Sequence, residues 1–123
     1  EAYAAVGGLD EGYFMYAEEV DLCYALRRAG WQVWYHPQAR VTHLGGASSR
    51  NRRPEREGDL YTSRVRFFRK HYGAGAAEAL KALIYVFTAL KIIGHTLLRR
   101  LSGGRLGRPV VSLSTLAAKL KNA

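Results

Sequence analysis

Tyr13-Phe-Met-Tyr-Ala-Glu-Glu-Val-Asp-Leu-Cys-Tyr-Ala-Leu-Arg-Arg-Ala-Gly30 is the stretch from which the rest of the chain can be read. Leu22, Ala25, Leu26 and Ala29 recur at helical spacing, and Gly30 stands where a helix would stop. The pattern predicts a loop or strand end feeding a helix of about three turns. Glu18, Glu19 and Asp21 then fall in its first turn, where the positive end of the dipole favours negative charge. Two explanations compete. Acids in a first turn each stabilise the helix end by about 0.3–1 kcal/mol and need no other purpose. Three crowded acids also repel one another, however, and the greasy run Tyr13 to Tyr16 before them could wall off a pocket and raise a carboxylate's proton affinity. Cys23, on the same helix, is expected to be a small buried apolar residue.

On the N-terminal side, Ala2 to Val6 forms a short helical or extended piece, and the Gly7-Gly8 and Asp10-Glu11-Gly12 groups are turn punctuation. On the C-terminal side, Trp31 to Tyr35 is rich in aromatic and β-branched residues and ends at His36-Pro37, which predicts a strand. A second short strand is expected over Arg40 to Leu44, stopped by Gly45-Gly46. Helix, strand, turn and short strand make an α/β pattern, too short here to close a sheet by itself.

Residues 47–58 hold Ser48, Ser49, Asn51, Pro54 and the arginines Arg50, Arg52, Arg53 and Arg56 without hydrophobic periodicity. This reads as a mobile basic loop, either a solvated linker or a flap whose guanidiniums close over a phosphate-bearing ligand. Asp59 to Tyr72 follows a helical repeat closed by Gly73, which predicts a helix packed against the sheet, its basic side open to a diphosphate or a lipid headgroup. The stretch from Ala76 to Leu101 is the most apolar, yet Lys81, Lys91 and His95 keep its uncharged runs below the roughly 18 residues of a spanning helix. It predicts a helix lying in a membrane surface with Arg99 and Arg100 at the headgroups; a buried core helix is the competing reading. The remaining residues carry a weak amphipathic stretch, Ser112 to Lys121, expected as a surface helix or a frayed end.

The 123 residues allow one domain, and 48% apolar content is enough for a core. The net charge of +9 is uneven. Residues 1–50 hold four basic against six acidic residues, a balance of −2, while residues 51–123 hold fifteen against four, a balance of +11. Such asymmetry suits a catalytic part followed by a region for phosphates, nucleic acid or an anionic membrane. A single cysteine rules out an internal disulfide and a thiolate zinc cluster. A basic nucleic-acid-binding module is one alternative, but it explains none of the first 46 residues. A membrane-peripheral adaptor is another, and it requires the acid cluster to be capping alone.

The run Val6-Gly-Gly-Leu-Asp-Glu-Gly-Tyr-Phe-Met-Tyr-Ala-Glu-Glu-Val-Asp-Leu-Cys23, then Arg27-Arg-Ala-Gly-Trp31, then Val41-Thr-His-Leu-Gly-Gly-Ala-Ser48, resembles the C-terminal half of family 2 glycosyltransferases, closest to the bacterial rhamnosyltransferase-like branch. The resemblance covers about residues 1–72. It implies an α/β fold, the C-terminal part of a GT-A mixed-sheet domain, followed by a helical, membrane-peripheral extension over 73–123. It also implies an inverting reaction, in which a general base takes the proton of an acceptor hydroxyl as a nucleotide diphosphate leaves the sugar. The family's Glu-Asp-x-Asp motif reads Glu18-Glu-Val-Asp21 here, so Glu19 takes the position of the base, one methylene longer. Asp21 is the second choice, and Glu18 would orient the acceptor or tune the base. His43 matches a histidine that joins a divalent metal site, magnesium or manganese, in some relatives. Gly45 and Gly46 would let the backbone pass close to the ligand, with Arg50, Arg52 and Arg53 helping the diphosphate. The implied partners are a nucleotide diphosphate sugar, a glycan or lipid-linked acceptor and an anionic membrane surface, with no nucleic acid. The implied place is the cytoplasmic, inner face of the plasma membrane. The family's nucleotide-binding half has no counterpart in these residues, so the chain is expected to be an incomplete and inactive piece with an exposed sheet edge.

Overall fold

A computed structural model of the chain describes residues 1–43, 53–103 and 112–121, with the backbone alone for 53–55. Four helices follow in order: α1 (Ala2–Ala5), α2 (Glu18–Arg28), α3 (Arg53–Leu101) and α4 (Leu113–Leu120).

α2 ends as its sequence dictates. Gly30 adopts φ +85°, its N–H bonds to the Arg27 carbonyl at 3.1 Å, and the Trp31 N–H reaches back to Leu26 at 2.9 Å. This pair of bonds is the Schellman closure, which needs a left-handed residue that glycine supplies without strain.

The expected mixed sheet is not there. Among the described residues there is no strand, and the architecture is helical. Residues 31–35 and 40–43 run irregularly, with Trp34 80%, Tyr35 88% and Val41 90% exposed. The reason is that β-propensity expresses how well a side chain fits a pleated, half-buried surface. Without a neighbouring strand to complete the ladder, and without a layer to cover them, these residues have nothing to be pleated against. The α/β and GT-A expectation is therefore corrected to a helical arrangement.

The basic loop expected over 47–58 is also redrawn. Its first six residues lie outside those described, while α3 already begins at Arg53. Pro54 falls in the first turn, where a missing N–H costs nothing because no intrahelical acceptor is available. α3 runs to Leu101 but is interrupted at Gly73, with φ 88° and ψ 172°, a combination open essentially to glycine alone. The arms on either side fold back on each other. Glu57 and Lys91 are 34 residues apart yet pair at 2.9 Å, whereas a straight helix would separate them by about 50 Å. Arg69 and Glu78 pair at 2.7 Å close to the bend. α3 is thus an antiparallel helical hairpin.

The core sits in that hairpin and is closed by α4. Val65 of the first arm, Ala77 and Ile84 of the second, and Leu116 and Leu120 of α4 form one buried cluster, flanked by Tyr61, Leu80 and Tyr85. α4 begins cleanly because the Ser112 hydroxyl accepts the Thr115 N–H at 3.1 Å, and Lys119 pairs with Asp59 on the first arm. The weak amphipathic signal thus marks the plug of the core. Leu116 is fully buried, so Leu116→Ala should lower the unfolding free energy by about 2–4 kcal/mol, through lost burial and the cavity left behind. Leu113→Ala, at a position 41% exposed, should cost far less; urea unfolding of the two variants checks the contrast.

Candidate active site at the first turn of α2

The acid-bearing turn is entered through strained backbone. Tyr16 and Ala17 both adopt left-handed conformations, φ 72° and 67°, which cost non-glycine residues on the order of 1–2 kcal/mol each. Contacts from α3 hold them. The Ser63 hydroxyl donates to the Met15 carbonyl at 2.7 Å, and Arg56 Nε donates to the Tyr16 hydroxyl at 3.2 Å. Ala17 occupies the N-cap and offers no side-chain cap.

Helical geometry then sorts the three acids. Glu18 and Asp21 are three residues apart and share the face turned to α3, while Glu19 is rotated about 100° from Glu18. Asp21 is buried at 3% exposure, Glu18 is half-buried, and Glu19 is exposed. The Glu18 Oε2 atom is buried with no hydrogen-bond partner, an acceptor left open in the turn.

Asp21 is the centre of a polar cluster drawn from three segments. Its Oδ1 accepts the Tyr13 hydroxyl at 3.1 Å and lies 2.6 Å from His71 Nε2; its Oδ2 accepts Lys70 Nζ at 2.7 Å. Lys70 also reaches Asp10 at 2.8 Å, and Arg66 joins Asp10 at 3.1 Å while lying over the Tyr13 ring. Gly12 makes room for this, since a Cβ there would collide with the Arg66 guanidinium. Tyr24, one turn beyond Asp21, packs against His71 at 4.2 Å and edge-on to Phe67 at 5.5 Å.

The electrostatics follow from these contacts. Burial pushes the Asp21 carboxyl up, but the Lys70 and His71 hydrogen bonds outweigh it and hold Asp21 below the ordinary carboxylate value. The bond from Lys70, helped by the Gly12 N–H, draws Asp10 down to about 2. Burial pulls Lys70 down, yet its bonds to Asp10 and Asp21 raise it overall. Burial first, and then the Asp21 charge, raises the Tyr13 phenol. Asp21 is thus a carboxylate whose lone pairs are already engaged.

The other sequence-derived positions fall elsewhere. His43 is exposed, and among the described residues no three His, Cys, Asp or Glu side chains are grouped as around a metal ion. Gly45, Gly46, Arg50 and Arg52 lie outside the described residues, and Arg53 opens α3. Cys23, expected inside, is exposed. A cleft of about 450 Å³ lies at the opposite end of α2, lined by Arg27, Gly30, Trp31, Gln32, Val33 and Trp34. Asp10, Tyr13, Lys70 and His71 were not singled out by sequence reasoning. The first arm was expected to pack against a sheet, its basic side open to a diphosphate or a lipid headgroup; Arg66 and Lys70 meet Asp10 and Asp21.

No protein-family model matches the chain, and no solved structure matches it. Over 42 residues, 34% of this chain, it is 55% identical to the N-acetylglucosaminyl-diphospho-decaprenol L-rhamnosyltransferase of Mycobacterium tuberculosis, in each of two strains. The likeness is to glycosyltransferases. Rhamnosyltransferase WbbL of Escherichia coli is 39% identical over 49 residues, 40% of this chain. The matched stretches span only 14% of the mycobacterial protein and 19% of the Escherichia coli one.

Proposed function

We propose that the chain carries the acceptor-side acids of an inverting rhamnosyltransferase, which moves rhamnose from a nucleotide diphosphate sugar to a hydroxyl of a lipid-linked saccharide. The observation that carries this reading is the 55% identity over 42 residues to a rhamnosyltransferase whose name specifies a diphospho-decaprenol-linked acceptor. The strained entry to α2 and the open Glu18 acceptor support it, because strain and unsatisfied polar atoms gather at functional sites.

In this reading Glu19 is the general base. It is exposed, and it can accept the proton of the acceptor hydroxyl as that oxygen bonds to the sugar's anomeric carbon and the nucleotide diphosphate leaves from the opposite face. Glu18, half-buried beside Glu19, orients the acceptor or tunes the proton affinity of the base. Asp21, with its lone pairs engaged, does not take protons; it anchors the turn that presents the other two. The magnesium or manganese ion implied by the resemblance would need ligands beyond any cluster formed by the described residues.

The direct test exchanges the matched 42-residue stretch of the mycobacterial rhamnosyltransferase for the corresponding stretch of this chain. A chimera that folds and still transfers rhamnose to its lipid-linked acceptor is the expected result. A chimera that folds and has lost transfer overturns the proposal.

A further inference from the structure

The second arm of α3 presents a face that the fold leaves uncovered. Leu83, Val86, Phe87, Leu90, Ile93, Leu97, Leu98 and Leu101 are each between 54% and 86% exposed. At 100° per residue they fall, with Gly94, within one arc of about 140° that runs the length of the arm, about 27 Å from Leu83 to Leu101. The opposite side of the same arm supplies Ala77, Ile84 and Thr88 to the interior. The stripe is therefore a second apolar face, separate from the one that builds the core. Eight large side chains so aligned make a larger patch than an isolated soluble surface ordinarily shows.

Charge identifies the occupant. After Glu78 the sequence contains no Asp or Glu, while Lys81, Lys91, Arg99, Arg100, Arg105, Arg108, Lys119 and Lys121 are all cationic. On the helix, Lys91 falls just beyond one edge of the arc and Arg100 just beyond the other, with Arg99 behind the stripe near its C-terminal end. A protein partner would ordinarily be met by charges of both signs around a polar rim. A stripe with no acid along its own length of helix and a cation at each edge, Lys91 at one, paired with Glu57 of the first arm, and Arg100 at the other, matches instead a helix lying flat at the boundary of headgroups and acyl chains. Among the described residues no helix is long and apolar enough to cross a membrane, so the fit is to the surface.

We infer that this stripe seats the protein on an anionic lipid bilayer, with Phe87, Leu90 and Leu97 inserted among the acyl chains and Arg100, at the edge of the stripe, against the phosphates. This would hold the protein beside substrates that are themselves lipid-linked, yet it depends only on the surface of α3 and not on the rhamnosyl-transfer reading.

The test is flotation of the purified protein with phosphatidylcholine vesicles, with and without phosphatidylglycerol. Binding should require the anionic lipid and weaken as salt is raised. Arg100→Ala should lower partition about fivefold, the share of one cation near a charged surface. Phe87→Ser with Leu90→Ser and Leu97→Ser should abolish it with helix content by circular dichroism unchanged, since all three side chains already face outward. Partition that ignores lipid charge, or that survives the apolar triple substitution, overturns the inference. So does a dimer in solution that buries the stripe and binds no vesicle. Sugar transfer is not read in this experiment, so its failure and the failure of the enzymatic reading are separable.

Discussion

Replacing Glu19 with Gln should lower sugar transfer by about 100- to 10,000-fold, the span usually contributed by a positioned general base. The same substitution should leave the urea midpoint almost unmoved. Glu19 is exposed and rotated off the face that packs on α3, so its amide analogue disturbs no buried contact. The competing view, that the first-turn acids only favour the helix dipole, predicts the reverse pattern. Under it the substitution costs about 0.3–1 kcal/mol of stability and leaves transfer intact. Transfer rates and unfolding curves measured on the same variant, in the polypeptide that carries this chain, therefore decide between the two. Glu18→Gln makes a useful companion. If the Glu18 carboxylate orients the acceptor, the change should act mainly through the Michaelis constant for the acceptor, because an amide still offers an oxygen but not a charge.

What could be read from the sequence was local. The α2 repeat and its glycine stop were legible because the residues that make a Schellman closure are neighbours in the chain. The break at Gly73 was legible for the same reason, although not its consequence: the two arms fold back because Glu57 finds Lys91 and Val65 finds Ala77 and Ile84. The strands failed on a tertiary condition. Trp31 to Tyr35 has the composition of a strand, but composition supplies neither a ladder partner nor a covering layer. α4 was undervalued because eight residues of modest amphipathicity look like a frayed end until the groove that receives Leu116 and Leu120 is known. In the site, the turn with Glu18, Glu19 and Asp21 was visible from the acids themselves. Their differing burial was not. That Asp21 faces inward depends on Lys70 and His71, 49 and 50 residues away, on a helix whose periodicity marks a face without naming what it meets.

Asp21→Ala should be the most destabilising change in the site, lowering the unfolding free energy by about 3 kcal/mol, at the low end of the range for breaking a buried ion pair because Lys70 keeps access to water. The loss is not of one contact. The Tyr13 hydroxyl and the His71 ring would be left without their acceptor, and Lys70 would retain Asp10 alone. Lys70→Met with Asp21→Ala should cost less than the sum of the two single changes, since each alone strands its partner. Acid titration provides an independent reading of the same cluster. Asp10 and Asp21 have folded values below the ordinary 3.8, so each contributes stability that is complete above about pH 4 and is lost as the pH falls through the depressed value, about 2 for Asp10. The Asp10 share is on the order of 1 kcal/mol once solvent screening around the half-exposed Arg66 and Lys70 is allowed for. Lys70 is raised and acts at the other end: its share is complete below about pH 10 and disappears as the pH rises through its folded value. As far as Asp10, Asp21 and Lys70 are concerned, the stability of the wild-type protein should therefore be level from about pH 4 to 10, and Asp21→Ala should flatten the acid limb. An acid limb of equal steepness in the two proteins would mean that the cluster is a feature of geometry without energetic weight, and the anchor for the acid-bearing turn would have to be sought in the Ser63–Met15 contact instead.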